Sequence, residues 1–135
     1  MRLAVMRVSP VNCQVVLLVP GAEELPPEWP MTGDELVVGN SAAIYVTTIC
    51  DVDGEVTIEV WGTEEPPYPH GEPIYDGILL VRDAGALVGS YTGNHLAHIG
   101  LLVEGSHRVR VYTDAPAEHA QWAEHVDFVI DRVID

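Results

Sequence analysis

Lysine is absent from this chain. Its six basic residues are all arginine, set against 21 acids, for a formal charge of −15. Without lysine there is no Schiff-base chemistry, no P-loop lysine and no lysine general base. The acidity disfavours DNA, RNA and anionic membrane surfaces, all of which need cationic partners. It suits a basic protein partner or cations, and it keeps a β-rich chain soluble.

Other shortages narrow the reading further. Phe128 is the sole phenylalanine, so the core must be built from Val, Ile and Leu, which favours strands. Only Cys13 and Cys50 carry thiols. A disulfide scaffold in a short secreted chain would usually show more, so two buried free thiols are expected, with a single Cys13–Cys50 bridge as the alternative. Long apolar runs are missing too. The start, MRLAVMRV, has the basic opening of a signal peptide, but Arg7, Pro10, Asn12 and Gln14 break the apolar run and leave only Val15–Val19 continuous. That is too short for a signal core or a membrane span. The segment reads as strand and the protein as cytoplasmic.

The chain has 135 residues, an ordinary size for one domain, residues 1–135. No repeat or linker divides it. Its centre is the stretch Tyr75–Thr113, which reads as four antiparallel strands: Tyr75–Val81, Ala86–Tyr91, His95–Val103 and His107–Thr113. The connections RDAG, TGN and EGS supply the Gly and Asn that tight hairpins use. In the last hairpin, Val103 would face His107, Leu101 Val109 and Ile99 Val111. One face then carries Ala97, Ile99, Leu101, Val103, Val109 and Val111, and the other His98, Gly100, Leu102, Arg108, Arg110 and Tyr112. The second face is half apolar and calls for partial cover.

Upstream, Leu3–Val8 and Cys13–Val19 read as a first hairpin around SPVN. Leu36–Val38 is a short strand. Ala43–Cys50 and Glu55–Trp61 form a second hairpin on Asp53-Gly54, with Ile49 opposite Ile58 and Tyr45, Thr47, Ile49, Val56, Ile58 and Val60 on one face. DVDGE begins like a calcium loop, but its glycine is misplaced and its twelfth position is Gly62. Downstream, Asp114 caps a short helix over Ala117–Glu124 that contains Trp122. Val126–Ile130 returns as a strand, with Val126, Phe128 and Ile130 on one side and Asp127 on the other. The fold class is therefore all-β: an antiparallel, jelly-roll-like β-sandwich of about 9–10 short strands with one short C-terminal helix.

Two Pro-rich acidic loops interrupt this pattern. Residues 20–35 carry Trp29, which either lids one end of the domain or anchors a partner. Residues 62–73 carry Glu64, Glu65, Tyr68, His70 and Glu72, and serve as a rigid crossover or a contact surface.

Tests for chemistry give little. His95 and His98 lie three apart on a strand and so point to opposite faces. His119 and His125 are poorly spaced for one ion. A site gathered from His70, Glu72 and His125 cannot be read from one sequence, and no metal site or cofactor is predicted. Gly89–Gly93 is not a nucleophile elbow, and no Walker or Rossmann glycine pattern occurs. No catalytic residues are assigned.

The sequence therefore favours a non-enzymatic acidic binding module, inhibitor- or immunity-like toward a basic protein such as a nuclease. Its contact residues would be Trp29, Glu64, Glu65, Tyr68, His70 and Glu72. One alternative is a small-ligand or metal-dependent enzyme using His70, His98 and Tyr112. Another is a self-assembling subunit, a homodimer for instance, with Arg108, Arg110 and Tyr112 at the interface.

Overall fold

Side-chain alternation places most strands where the sequence predicts them. In the computed structural model they are β1 (Arg2–Val8), β2 (Gln14–Leu18), β3 (Val37–Gly39), β4 (Ala43–Thr47), β5 (Val56–Gly62), β6 (Tyr75–Val81), β7 (Ala86–Ser90), β8 (His95–Ile99), β9 (Gly105–Thr113) and β10 (His125–Arg132). The structure describes residues 2–10, 13–20, 37–62, 73–82, 85–90, 95–100, 102–115 and 122–132. The strands form two five-stranded sheets, in the orders β1-β5-β10-β9-β6 and β3-β4-β2-β7-β8. All neighbours are antiparallel except β5 and β10, which run parallel. The expectation of a wholly antiparallel fold is corrected at that pair.

One core joins the sheets. Val56, Ile58, Val60, Val109, Val111, Val126, Phe128 and Ile130 come from the first sheet, and Val15, Leu17, Ile44, Val46, Val88 and Ile99 from the second. The predicted inward sets of β5, β9 and β10 are all present. β4 is shifted in phase, with Ile44 and Val46 in the core. Tyr45 lies instead in a second buried cluster with Val16, Leu18 and Ala43. Residues alternate along both strands, so this second cluster occupies the far face of the same sheet. β2 and β4 are apolar on both sides, and alternation gives such strands no phase.

The pairing departs from the predicted hairpins in four places. β1 pairs with β5, not β2, and β4 pairs with β2 and β3, not β5. β6 pairs with β9 and β7 with β8, so the expected four-stranded meander is divided between the sheets. The register expected between Ile99 and Val111 does not form; Val111 pairs with Tyr75 and Phe128 instead. Each of these turns carries the chain from one sheet to the other. Where such a turn uses glycine, it does so for the same conformational reason as a hairpin. At Gly85 the backbone has φ +76°, and a Cβ would run into the Ile99 carbonyl oxygen, so the crossover there admits only glycine. DVD in the β4–β5 crossover is a 3-10 turn over Asp51–Asp53 rather than a type I′ loop.

Two hairpins do form, β3–β4 and β7–β8. In the first, Asn40 Oδ1 accepts from the Ala42 and Ala43 amides at 2.8 and 3.0 Å, an Asx turn that fixes the bend. Among the described residues, no helix is seen in the predicted span Ala117–Glu124. Residues 116–121 fall outside the described residues, and Ala123 and Glu124 lead straight into β10. Asp114 does bind backbone amides, but those of Glu124 and His125, at 3.0 and 3.2 Å. Its carboxylate pins the start of β10.

Cys13 and Cys50 are joined in a disulfide, which corrects the expectation of two free thiols. β2 and β4 are neighbours with Gln14 opposite Thr47, and the Thr48 amide donates to the Cys13 carbonyl at 2.9 Å. That register brings the two cysteines together. Cys13 has φ 60°, a left-handed conformation that costs a non-glycine residue about 1–2 kcal/mol.

Candidate functional site

The polar residues that stand out lie on the outer face of the first sheet. Strand alternation sends Val56, Ile58 and Val60 inward, and so turns Thr57, Glu59 and Trp61 outward. The same rule turns His125, Asp127, Val129 and Asp131 outward from β10, and Arg108, Arg110 and Tyr112 from β9. The parallel register then sets Glu59 beside Asp127, and the antiparallel register sets Asp127 beside Tyr112.

At the centre of this face, His125 Nε2 lies 3.0 Å from Glu59 Oε2 and 3.2 Å from Asp127 Oδ1. Asp127 Oδ1 also accepts from Trp61 Nε1 at 3.0 Å. Arg2 Nη1 donates to Glu59 Oε1 at 2.9 Å. Asp127 is only 1% exposed and Glu59 7%. Two carboxylates shielded this far from water need partners to offset desolvation, and Arg2, Trp61 and His125 supply them. Among the described residues, Glu59, His125 and Asp127 are the group able to hold a metal ion.

Flanking this centre is a ladder of ion pairs. Arg110 Nη2 donates to Asp131 Oδ2 at 3.0 Å and Arg110 Nη1 to the Tyr112 hydroxyl at 3.4 Å. Arg108 clamps Asp76 on β6 with two bonds, 2.9 and 2.6 Å. That bidentate hydrogen bond holds the Asp76 carboxyl below its ordinary value of 3.8, against the opposing effect of burial and with lesser help from the charges of Arg108 and Arg110. A depressed folded pKa adds stability above the unfolded value and loses it as pH falls through the folded one. Wild type should therefore exceed Asp76→Asn slightly in stability at neutral pH, since the pair is exposed. The two should converge below pH 3.8. A carboxyl NMR titration with an Asp76 midpoint at or above 3.8 would break this account.

The structure places the predicted residues unevenly. Arg108, Arg110 and Tyr112 do share one face, as expected. Arg108 is open to solvent, while Arg110 and Tyr112 are largely covered within the ladder. Trp29, Glu64, Glu65, Tyr68, His70 and Glu72 lie outside the described residues. His98 is exposed on β8 of the second sheet, on the other sheet from Tyr112, so the fold does not bring these two together. His107 points to the core side of β9, donating from Nε2 to the Val103 carbonyl at 2.7 Å, with Nδ1 buried and unbonded. It serves the interior.

Sequence reasoning missed the grouping of Glu59, His125 and Asp127. One local signal existed: His125 and Asp127 are two apart on a strand and so share a face. Glu59 could not be added without knowing that β5 and β10 are neighbours.

No protein-family model and no curated protein matches the sequence. Two solved structures are similar in fold. ComJ from Bacillus subtilis, described as an inhibitor of the DNA degrading activity of NucA, aligns over 98% of both chains with a TM-score of 0.62 and 13% identity. A protein described as crocagin biosynthetic gene J aligns over 97% of this chain and 96% of its own, with a TM-score of 0.53 and 7% identity. At such identities the likeness is one of fold alone.

Proposed function

We propose that this protein is a non-enzymatic, inhibitor-like module that binds a basic protein, an enzyme of the nuclease class. The observation that carries the reading is the formal charge of −15 on a lysine-free chain. Four of its six arginines, Arg2, Arg7, Arg108 and Arg110, are paired with the chain's own acids. Little positive charge is therefore left to oppose a cationic partner. The fold likeness to a nuclease inhibitor supports the reading by analogy only, since a fold hosts many functions. The contact residues of this reading are Trp29, Glu64, Glu65, Tyr68, His70 and Glu72, from the two Pro-rich acidic stretches of the sequence. Acidic stretches of this kind speed encounter with a basic partner and make binding salt-sensitive.

A cytoplasmic site of action is expected from the sequence, whereas the Cys13–Cys50 bridge favours an oxidising compartment, where disulfides form and persist. Among the described residues, no helix is long and apolar enough to cross a membrane.

The test is capture of basic proteins from the source cell's lysate at low and high salt, followed by a DNA-degradation assay of what is held. A nuclease released as screening rises, and silenced by one equivalent of this protein, is the expected result. Affinity should fall about tenfold or more between 0.05 and 0.3 M salt. A captured nuclease that digests DNA at full rate under saturating protein, or no nuclease captured at either salt, would end the reading.

A further inference from the structure

We propose that Glu59, His125 and Asp127 form a binding site for one divalent metal ion of the zinc class, with a remaining coordination position open to water. Three observations carry it. The first is convergence. The ligand atoms of the three residues all lie within 4.8 Å of one another, and Nε2 of His125 is 3.0 and 3.2 Å from the two carboxylate oxygens. Two ligands about 2.0–2.1 Å from a tetrahedral ion sit roughly 3.4 Å apart. On the two edges that His125 makes with the carboxylates, seating an ion asks the side chains to part by only a few tenths of an ångström.

The second is the chemistry of the donors. One imidazole nitrogen and two carboxylate oxygens form a set that zinc and related ions accept. A single Nε2 proton cannot give straight hydrogen bonds to both oxygens at once. A dication bonds to all three atoms and balances the two carboxylate charges.

The third is the support behind the ligands. Arg2 holds Glu59 by Oε1 and leaves Oε2 facing His125. Trp61 Nε1 fixes Asp127 by Oδ1. Such outer contacts orient the ligands of metal sites. The carboxylates are shielded, whereas the His125 side chain keeps 24% of its surface, so an ion and a water molecule can approach from that side.

The experiment uses the whole chain, stripped with chelator and titrated with Zn2+ by calorimetry and with Co2+ by visible absorption. Long-range 1H–15N spectra follow the His125 ring throughout. Expected are one ion per chain, Co2+ bands of a four- or five-coordinate site, and a large shift of His125 Nε2 on adding Zn2+. His125→Gln, a change at a partly exposed position, should weaken binding more than about tenfold, and Trp61→Phe by about tenfold. Both variants are checked for folding by circular dichroism. The wild-type ring spectra decide the matter even if a variant fails to fold. An unmoved His125 ring at saturating Zn2+, or binding unchanged in folded His125→Gln, would show that the other histidines and surface acids take the metal. The cluster would then be a polar network that needs no ion.

Discussion

Replacing Phe128 with alanine should cost this protein about 3–5 kcal/mol of stability, the range for truncating a fully buried aromatic ring. Phe128 has no exposed surface. It sits on β10, paired with Val60 of β5 on one side and Val111 of β9 on the other. Its ring belongs to the core cluster that also holds Leu17, Ile44 and Val88 from the opposite sheet. The surrounding strands are hydrogen-bonded on both flanks, so the site cannot collapse onto the vacancy and the cavity persists. No second phenylalanine exists to fill it. Domains are typically stable by about 5–15 kcal/mol, so the variant would lose a large share of its margin. Urea denaturation followed by tryptophan fluorescence measures the loss. A cost below about 1 kcal/mol would mean that the two sheets do not press on a common core at β10.

Opening the Cys13–Cys50 bridge should cost about 2–4 kcal/mol. The bridge closes a loop with a sequence separation of 37, and chain entropy for a loop of that size gives an upper value of about 4 kcal/mol. The closed segment contains β2, β3 and β4, three of the five strands of the second sheet. Without the bridge, the unfolded chain regains that loop's freedom. The left-handed turn at Cys13 also loses the link that holds it against position 50. The measurement is the denaturant midpoint with and without reductant, beside a Cys13→Ser/Cys50→Ser double variant. Wild type should fall on reduction to the level of the double variant, and the double variant should ignore reductant. Two titratable thiols in the folded, air-exposed protein, with one midpoint under both conditions, would overturn this.

Both expected losses depend on strand neighbours that the sequence misassigned or left unassigned, and the reason is physical. A turn such as RDAG or EGS states that the chain must bend sharply. It does not state whether the next strand lies beside the last one or across the core from it. Gly85 serves a crossover with the same residue type that a hairpin would need. β2, with sequence QVVLL, is buried along its whole length, so it must have neighbours on both edges and cover on both faces. Nothing local says that these neighbours are β4 and β7. The parallel β5–β10 pair is further beyond reach, for it joins segments as distant as Trp61 and Asp127, 66 residues apart.

By itself, the sequence determined which segments are strands. Period-two alternation also gave the inward faces of strands that are polar on one side, as with Val126, Phe128 and Ile130 around Asp127. It determined the acidity as well, and with it the class of partner that electrostatics favours. The tertiary structure alone decided which strands touch. That in turn decided the cysteine bridge, the ladder from Arg108 to Asp131, and the meeting of Glu59 with His125 and Asp127. Alternation is a property of one strand and is written in neighbouring residues. Pairing is a property of two, chosen by burial and hydrogen bonding over the whole chain.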